Sequence, residues 1–261
     1  MVRLRIQEVE LRRPDLRKPF PRRFVQRLTG QTVQTLTRRA KYLLAALSSG
    51  ETLLMHLGMS GSFRLEGHRS AAGTAARLGL DPHDHVVFHM SSGKAVVFND
   101  PRRFGLMDLV PAGGLTEHPA ISGLGPEPLS RDFDGRTLAR ACRGKKTSLK
   151  AALLDQRVVA GLGNIYASEA LHVAGLSPLR RASVLATPAG APRDAASRLA
   201  AAVKQVLQEA VARQTGRDYR DSRFLVYERE DEPCLKADCH GVIRRRTQSG
   251  RSTYYCPVCQ R

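Results

Sequence analysis

Apolar and polar positions alternate through most of the first 110 or so residues, and then the period becomes helical. Leu4 and Ile6 alternate with arginines, Val9 and Leu11 continue out of phase, and Pro14 ends the run, so one strand with a bulge or a break is predicted. A short polar helix candidate ends at Gly30. Strands are predicted at Val33–Leu36, Tyr42–Leu47 and Thr52–Leu57, with Ser48, Ser49 and Gly50 as a hairpin turn. HVVFHM and AVVFND flank Ser91, Ser92 and Gly93 as a second hairpin, and Leu106–Val110 supplies another strand. The stretch from Glu66 to Leu80, rich in Gly, Ala and Arg, reads as an exposed loop. Glycines and prolines from Pro111 to Pro128 mark a boundary, and helices follow. Thr137–Cys142 belongs to the first. Asp194–Arg213 carries an apolar stripe of Leu199, Val203, Val206, Leu207 and Val211, with Gly216 beyond its end. Ala182–Pro192 reads as a connector, and no internal repeat is visible.

The chain is organised around Lys145–Pro178, which places a helix, a glycine-broken turn and a second helix beside a cluster of lysines. Leu149, Leu153 and Leu154 recur at helical spacing, Gly161 and Gly163 allow a backbone that other residues would strain, and Asn164 begins the second helix. A helix start offers unpaired N–H groups and the positive end of a dipole to a phosphate, and the Asn164 side chain can cap the turn or donate to the same oxygen. The pattern alone leaves open a helical hairpin whose glycines serve only the turn. Charge shifts the balance: 42 Lys+Arg face 24 Asp+Glu in 261 residues, a net charge of +18. That excess is spread along the chain and implies a polyanionic partner, nucleic acid before an anionic membrane. No apolar run is long enough to span a bilayer, and MVRLRIQEVELRR lacks the apolar core of a signal peptide, so a soluble, intracellular protein is expected.

Cys234 and Cys239 are separated by four residues, Cys256 and Cys259 by two, and the arm between the pairs, HGVIRRRTQSGRSTYY, reads as a β-hairpin. Four thiolates in two close pairs can surround one tetrahedral Zn²⁺, and so short an arm with little apolar content needs a metal to fold. Two disulfides are the alternative; the intracellular setting and the paired spacing favour zinc. Cys142 is isolated and reads as a small buried hydrophobe in a helix. Arg244, Arg245, Arg246 and Arg251 give the finger an electrostatic role on DNA.

HLGMSGSFR from His56, NDPRRFG from Asn99, GLGPEPL from Gly123, KKTSLKAALLDQRVVAGLGNIYASEAL and the closing GRSTYYCPVCQR, taken in order, resemble formamidopyrimidine-DNA glycosylase, the bacterial oxidised-purine repair enzyme. The resemblance covers nearly the whole chain. It implies a multidomain α+β fold: an N-terminal antiparallel β-sandwich over residues 1–112, a linker over 113–128, a helix-two-turns-helix domain over 129–226 and a zinc-finger β-hairpin over 227–261, with DNA in the cleft. It also implies a glycosylase and AP lyase that removes 8-oxoguanine and formamidopyrimidines from double-stranded DNA and nicks the abasic site. One structural Zn²⁺, a monomer, no membrane and a cytoplasmic, nucleoid-associated location are expected.

A base stacked in a duplex has to be extruded before it can be reached, and the gap filled. Met59, Arg102 and Phe104 match the family's void-filling trio of a flexible thioether, a cation for the orphaned base and an aromatic wedge. Each alone would read as core or surface charge; the joint motifs carry the assignment. Lys41 matches a lysine near the lesion's phosphate that is implicated in the lyase steps. His56, His83, Lys150, Asn164 and Arg251 match phosphate-binding or lesion-flanking positions, with Arg251 also counted beside Lys41 in the chemistry; Lys145 and Lys146 read as general backbone contacts.

Two departures accompany the resemblance. Family members begin Met-Pro-Glu-Leu-Pro-Glu, the proline amine attacking the sugar C1′ and the glutamate moving protons, whereas this sequence begins Met1-Val2-Arg3. RLRIQEVELRRPDLR aligns with the family strand that follows the first helix, so truncation is expected, with the first helix and its nucleophile missing as a mis-assigned start codon or a truncated gene would leave them. Processing to a Val2 amine, or a lesion binder without catalysis, are the alternatives. The second departure is a shortened loop near Asp218 to Phe224, where the family covers the flipped base.

Overall fold

The structure is a computed structural model that describes residues 1–67, 81–213 and 223–261. It divides into two compact units, Met1–Ser122 and Gly123–Arg261. The expected loop over 66–80, apart from its first two residues, most of the shortened loop near 218–224 and Gly216 lie outside the described residues.

The first unit is a sandwich of two four-stranded antiparallel sheets. One sheet orders β1 (Ile6–Leu11), β6 (Asp84–Met90), β7 (Ala95–Asn99) and β5 (Ser62–Glu66); the other orders β2 (Val33–Arg39), β3 (Tyr42–Leu47), β4 (Thr52–His56) and β8 (Leu106–Val110). The phase change in β1 is a register irregularity between Ile6 and Glu8, which lets both Ile6 and Val9 face inward. Ile6, Val9, Val86, Phe88, Met90, Val96 and Phe98 from one sheet meet Val33, Ala45, Leu47, Leu53, Met55, Met107 and Leu109 from the other in a single apolar layer. Each large side chain so buried contributes roughly 1.5–3 kcal/mol relative to exposure. A short helix, α1 (Phe24–Leu28), closes one end through Phe24 and Leu28.

Strand β5 corrects the sequence reading, in which this stretch was motif followed by loop. It is an edge strand with burial only partial and without clean alternation, and pairing with β7 from Ser62↔Asn99 to Glu66↔Ala95 makes it a strand. Its anchor is Arg64, whose guanidinium bridges the carboxylate of Asp84, a residue 1% exposed at the start of β6.

The second unit packs α2 (Gly135–Cys142), α3 (Leu149–Leu154), α4 (Asn164–Val173) and α5 (Asp194–Arg213) around one apolar cluster, with Cys142 fully buried in it as expected. Asp134 caps α2 by accepting the Thr137 N–H at 2.7 Å, and Ser148 caps α3 by accepting that of Ala151 at 3.2 Å. Gly135 permits the close crossing of α2 and α5, because a Cβ there would lie 2.8 Å from the Ser197 backbone. The expected connector holds a 3₁₀ turn at Ala182–Leu185. Strands β9 (Arg244–Gln248) and β10 (Arg251–Tyr255) form the C-terminal hairpin, whose two-residue turn, Ser249 and Gly250, has φ of 49° and 72°, the mirror-image geometry that suits strand twist. The hairpin's own core is small: Val226, Ile243 and Tyr254 beside Cys234 and Cys256. Among the described residues, no helix is long and apolar enough to cross a membrane.

Candidate nucleic-acid interface

In the first unit, two adjoining loops carry the predicted wedge. Gly58 has φ +69° and packs so tightly that a Cβ would lie 2.5 Å from the Phe104 carbonyl carbon, so only glycine lets the loop after β4 approach the loop after β7. Met59, on the first loop, is 71% exposed, and Phe104, on the second, is 43% exposed. The Arg102 guanidinium sits 4.8 Å from the centroid of the Phe104 ring, a cation–π contact that orients both. His56, at the end of β4, accepts the Gly58 N–H on Nδ1 at 2.9 Å and stacks against Tyr42. Burial, then the charges of Lys41 and Arg17, pushes its pKa down, so the imidazole is neutral at pH 7. The same interactions place Lys41, which is exposed, within electrostatic reach of His56. His83 is exposed and joins the second loop through its backbone, its carbonyl accepting the Asp100 N–H at 3.0 Å.

In the second unit, the turn between α3 and α4 is knitted by Gln156, which donates to the carbonyls of Leu154 and Leu162 and accepts the Gly161 N–H at 2.8 Å. Gly161 has the expected positive φ, +79°. Gly163 does not: at φ −110° it is extended backbone open to any residue, and it serves as the N-cap of α4. Asn164 therefore caps nothing. Its Nδ2 donates to the Ser252 carbonyl at 3.0 Å, and its Oδ1 is buried with no protein partner. Lys150 converges on the same point, Nζ donating to Ser252 O at 2.6 Å and Thr253 Oγ1 at 2.8 Å. It is 1% exposed, and burial, reinforced by the charge of Arg251, lowers its pKa to about 8. Lys150, Asn164 and Arg251, from α3, α4 and β10, are thus brought together, with Arg251 exposed. Lys145 is not part of this group; its Nζ lies 4.0 Å from Asp155.

Cys234, Cys239, Cys256 and Cys259 bring their four sulfurs within 4.8 Å of one another, an arrangement that can hold a metal ion. Gly241 makes room for it, since a Cβ there would stand 2.5 Å from the Cys256 sulfur. From α4, His172 reaches the cluster with Nε2 3.3 Å from the Cys234 sulfur, and burial pushes its pKa down to about 4. Each end of α4 thus ties to the finger, Asn164 at one and His172 at the other.

Residues 1–107 match the formamidopyrimidine-DNA glycosylase N-terminal domain, and residues 124–220 match that family's H2TH domain. The chain belongs to the formamidopyrimidine-DNA glycosylase family. It is 57% identical to the formamidopyrimidine-DNA glycosylase of Rhodopseudomonas palustris (strain BisA53), with 98% of this chain and 93% of that protein aligned. It is 53% identical to the one from Azorhizobium caulinodans, over 98% of this chain and 92% of that protein. Among solved structures, the enzyme from Thermus thermophilus superposes with a TM-score of 0.81 at 36% identity, covering all of this chain (100%) and 92% of that one. The Lactococcus lactis formamidopyrimidine-DNA glycosylase, solved non-covalently bound to DNA containing an AP site, superposes at 0.85 with 28% identity, covering 100% and 94%.

Two buried carboxylates of this glycosylase-family chain lie inside the motifs that carry the resemblance, Asp100 in NDPRRFG and Glu169 in GLGNIYASEAL, but sequence reasoning gave neither a role. Asp100, 0% exposed, accepts from both wedge loops. Glu169, in α4, accepts the backbone N–H groups of Leu225, Val226 and Tyr227 at 2.7, 2.9 and 3.0 Å. A buried Asp or Glu among helix or loop residues is visible in the sequence only as polarity; its partners lie up to 58 positions away.

Proposed function

We propose that this chain works in base-excision repair as a DNA glycosylase and AP lyase, binding duplex DNA that contains oxidised purines or abasic sites. The observation that carries the reading is the wedge: Met59 and Phe104 are large apolar side chains held in solvent on loops that touch, with Arg102 stacked on one of them. Exposed apolar side chains on constrained backbone are costly unless a partner covers them, and an unstacked base step offers that cover. Met59 and Phe104 fill the space the extruded nucleotide leaves, while Arg102 presents donors to the orphaned base. Lys41 and neutral His56 serve the lesion side, with His83 flanking it. Lys150, Asn164 and Arg251 hold a backbone phosphate, and Lys145 contributes general charge.

Zinc is the metal we assign to the four cysteines. Zn–S bonds of about 2.3 Å in a tetrahedron place sulfurs about 3.8 Å apart, and the Cys234–Cys259 and Cys239–Cys256 separations are 3.8 and 3.6 Å. The ion's part is structural: bound, it cross-links the finger, so that Arg251 and Ser252 are held against α3 and α4.

The test is binding and trapping on three duplexes: intact, carrying a stable abasic-site analogue, and carrying 8-oxoguanine opposite cytosine. Preferential binding of the damaged duplexes is expected, and a borohydride-trapped crosslink on the 8-oxoguanine duplex would mean that another amine, such as that of Val2 or Lys41, has taken the place of the family's N-terminal proline. Equal affinity for all three overturns the reading.

Lys150 adds a pH dependence. Its folded pKa, about 8, lies below the ordinary 10.5, so the apo protein releases this proton as pH rises through about 8. A phosphate binds the charged form, so affinity for DNA is expected to fall by up to about 25-fold between pH 7.5 and 9.5 in gel-shift titrations. Lys150→Arg, which keeps its charge, should flatten that slope.

A further inference from the structure

The two wedge loops are joined by more than proximity. Asp100 is a fully buried carboxylate at the end of β7, and it is shared: Oδ1 accepts the Ser60 hydroxyl at 2.6 Å, and Oδ2 accepts the Gly105 N–H at 2.7 Å. The Ser60 oxygen in turn accepts the Arg102 N–H at 3.2 Å. The bonds converge on the carboxylate: the Arg102 N–H donates to Ser60, the Ser60 hydroxyl to Asp100, and the Gly105 N–H to the other Asp100 oxygen. Ser60 is the residue after Met59, and the Arg102 and Gly105 amides bracket Phe104. One hydroxyl and one carboxylate therefore connect all three wedge residues.

The backbone of Asp100 locks the same group in place. Its carbonyl lies 2.9 Å from the His85 Nε2 and accepts the Arg103 N–H at 3.1 Å, while its own N–H donates to the His83 carbonyl. Arg103 is held at φ +58°, a left-handed conformation that a non-glycine residue adopts at a cost and that these bonds maintain. The carboxylate is sequestered from water, so both of its oxygens rely on these donors.

We propose that Ser60 and Asp100 form a positioning clasp that makes Met59, Arg102 and Phe104 a single preorganised wedge, so that all three enter the duplex together. The inference rests on the DNA-lesion reading above. The physical reason is conformational entropy. Two independent loops would each have to be ordered during insertion, whereas clasped loops are ordered when the protein folds. Ser60 and Asp100 are positioning residues; neither needs to touch DNA. The clasp thus contributes to discrimination between damaged and intact duplex, and little to affinity for phosphate backbone.

The experiment compares wild type with Ser60→Ala, Ser60→Thr and Asp100→Asn by fluorescence anisotropy, on an intact duplex and on one with a stable abasic-site analogue. A 2-aminopurine opposite the analogue reports unstacking by the wedge. For Ser60→Ala, loss of a hydrogen bond to a buried carboxylate is expected to lower the ratio of the two affinities about tenfold and to reduce the 2-aminopurine signal. Affinity for the intact duplex and its salt slope should stay at wild-type values. Ser60→Thr, which keeps the hydroxyl, should restore the ratio, and Asp100→Asn should behave like Ser60→Ala. A merely structural hydroxyl would change the melting temperature and leave the ratio alone. If Ser60→Ala does not fold, Ser60→Cys, with its weaker donor, carries the same comparison. A wild-type preference that Ser60→Ala retains overturns the clasp alone; a wild type without preference overturns the DNA-lesion reading and the clasp with it.

Discussion

Cys256→Ser is expected to yield a chain that keeps its sandwich and helices but holds no stoichiometric zinc and binds damaged duplex at least ~100-fold more weakly. The reason lies in the size of the finger's core. Val226, Ile243 and Tyr254 are the buried apolar residues of its cluster besides cysteine, with Tyr255 also buried in the hairpin, too little to order it unaided. In zinc-finger peptides the metal supplies roughly 10–16 kcal/mol of apparent folding energy, and removing one thiolate forfeits most of it. The consequence extends beyond the finger. Lys150 and Asn164 both donate to the Ser252 carbonyl, so an unfolded hairpin removes Arg251 and leaves a buried amine and a buried amide without their acceptor. Metal content by plasma emission, together with gel shift on an abasic-analogue duplex, checks both halves. Zinc retained at one equivalent with unchanged binding would show that the metal does not organise this end of the molecule. Extraction with a strong chelator at neutral pH should reproduce the variant's behaviour in the wild-type chain.

Arg64→Ala should be the most damaging single change in the sandwich outside its apolar layer, costing about 3 kcal/mol in urea unfolding. That figure is at the low end for breaking a buried pair, because the Arg64 side chain is one-third (33%) exposed while that of Asp84 is 0% exposed. The remaining donors to Asp84, Asn99 Nδ2 at 2.8 Å and the Asp81 N–H at 2.7 Å, do not neutralise its charge. The pair also has a pH signature. Arg64 is the first cause that holds the Asp84 pKa down at about 2, against an ordinary 3.8. A carboxylate with a depressed folded pKa contributes stability that is present above the unfolded value and lost as pH falls through the folded one. Wild type should therefore lose this contribution between about pH 4 and pH 2, and Arg64→Ala should show a shallower acid slope there. An equal slope in both proteins would remove Arg64 as the cause. The functional effect should follow, because the β6 and β7 ends that the pair secures carry His83 and Asp100.

Several features were legible in sequence because their cause is local. The cysteine spacing, the Ser-Gly hairpin turns, the out-of-phase first strand and the apolar stripe of α5 through Leu199, Val203 and Val206 each reflect contacts within a few residues or a single period, whereas Val211, expected in that stripe, is 64% exposed near the helix end. The exposure of Met59 and Phe104 could be expected only from a set of motifs in order, since an isolated Met or Phe has no local mark of exposure. Strand β5 escaped notice because it sits at a sheet edge, with Ser62 and Leu65 exposed and its partner β7 some 33 residues on. Gly163 was read as a strained position and is extended; a sequence shows that a glycine can take positive φ, not that the chain asks it to.

The sequence by itself determined the alternation that makes a sandwich, the helical period after residue 128, the excess of positive charge and the four thiols that can gather on one metal. These follow from side-chain chemistry and spacing, which survive any folding. The tertiary structure alone decided where the polar groups find partners. It turned Asn164 from a cap into a donor to Ser252, buried Lys150 against the hairpin, set His172 beside Cys234 and placed Asp100 between two loops 40 residues apart. A hydrogen bond needs its atoms within about 3 Å whatever the sequence separation, so the partner of a buried polar group is known only once the chain has folded.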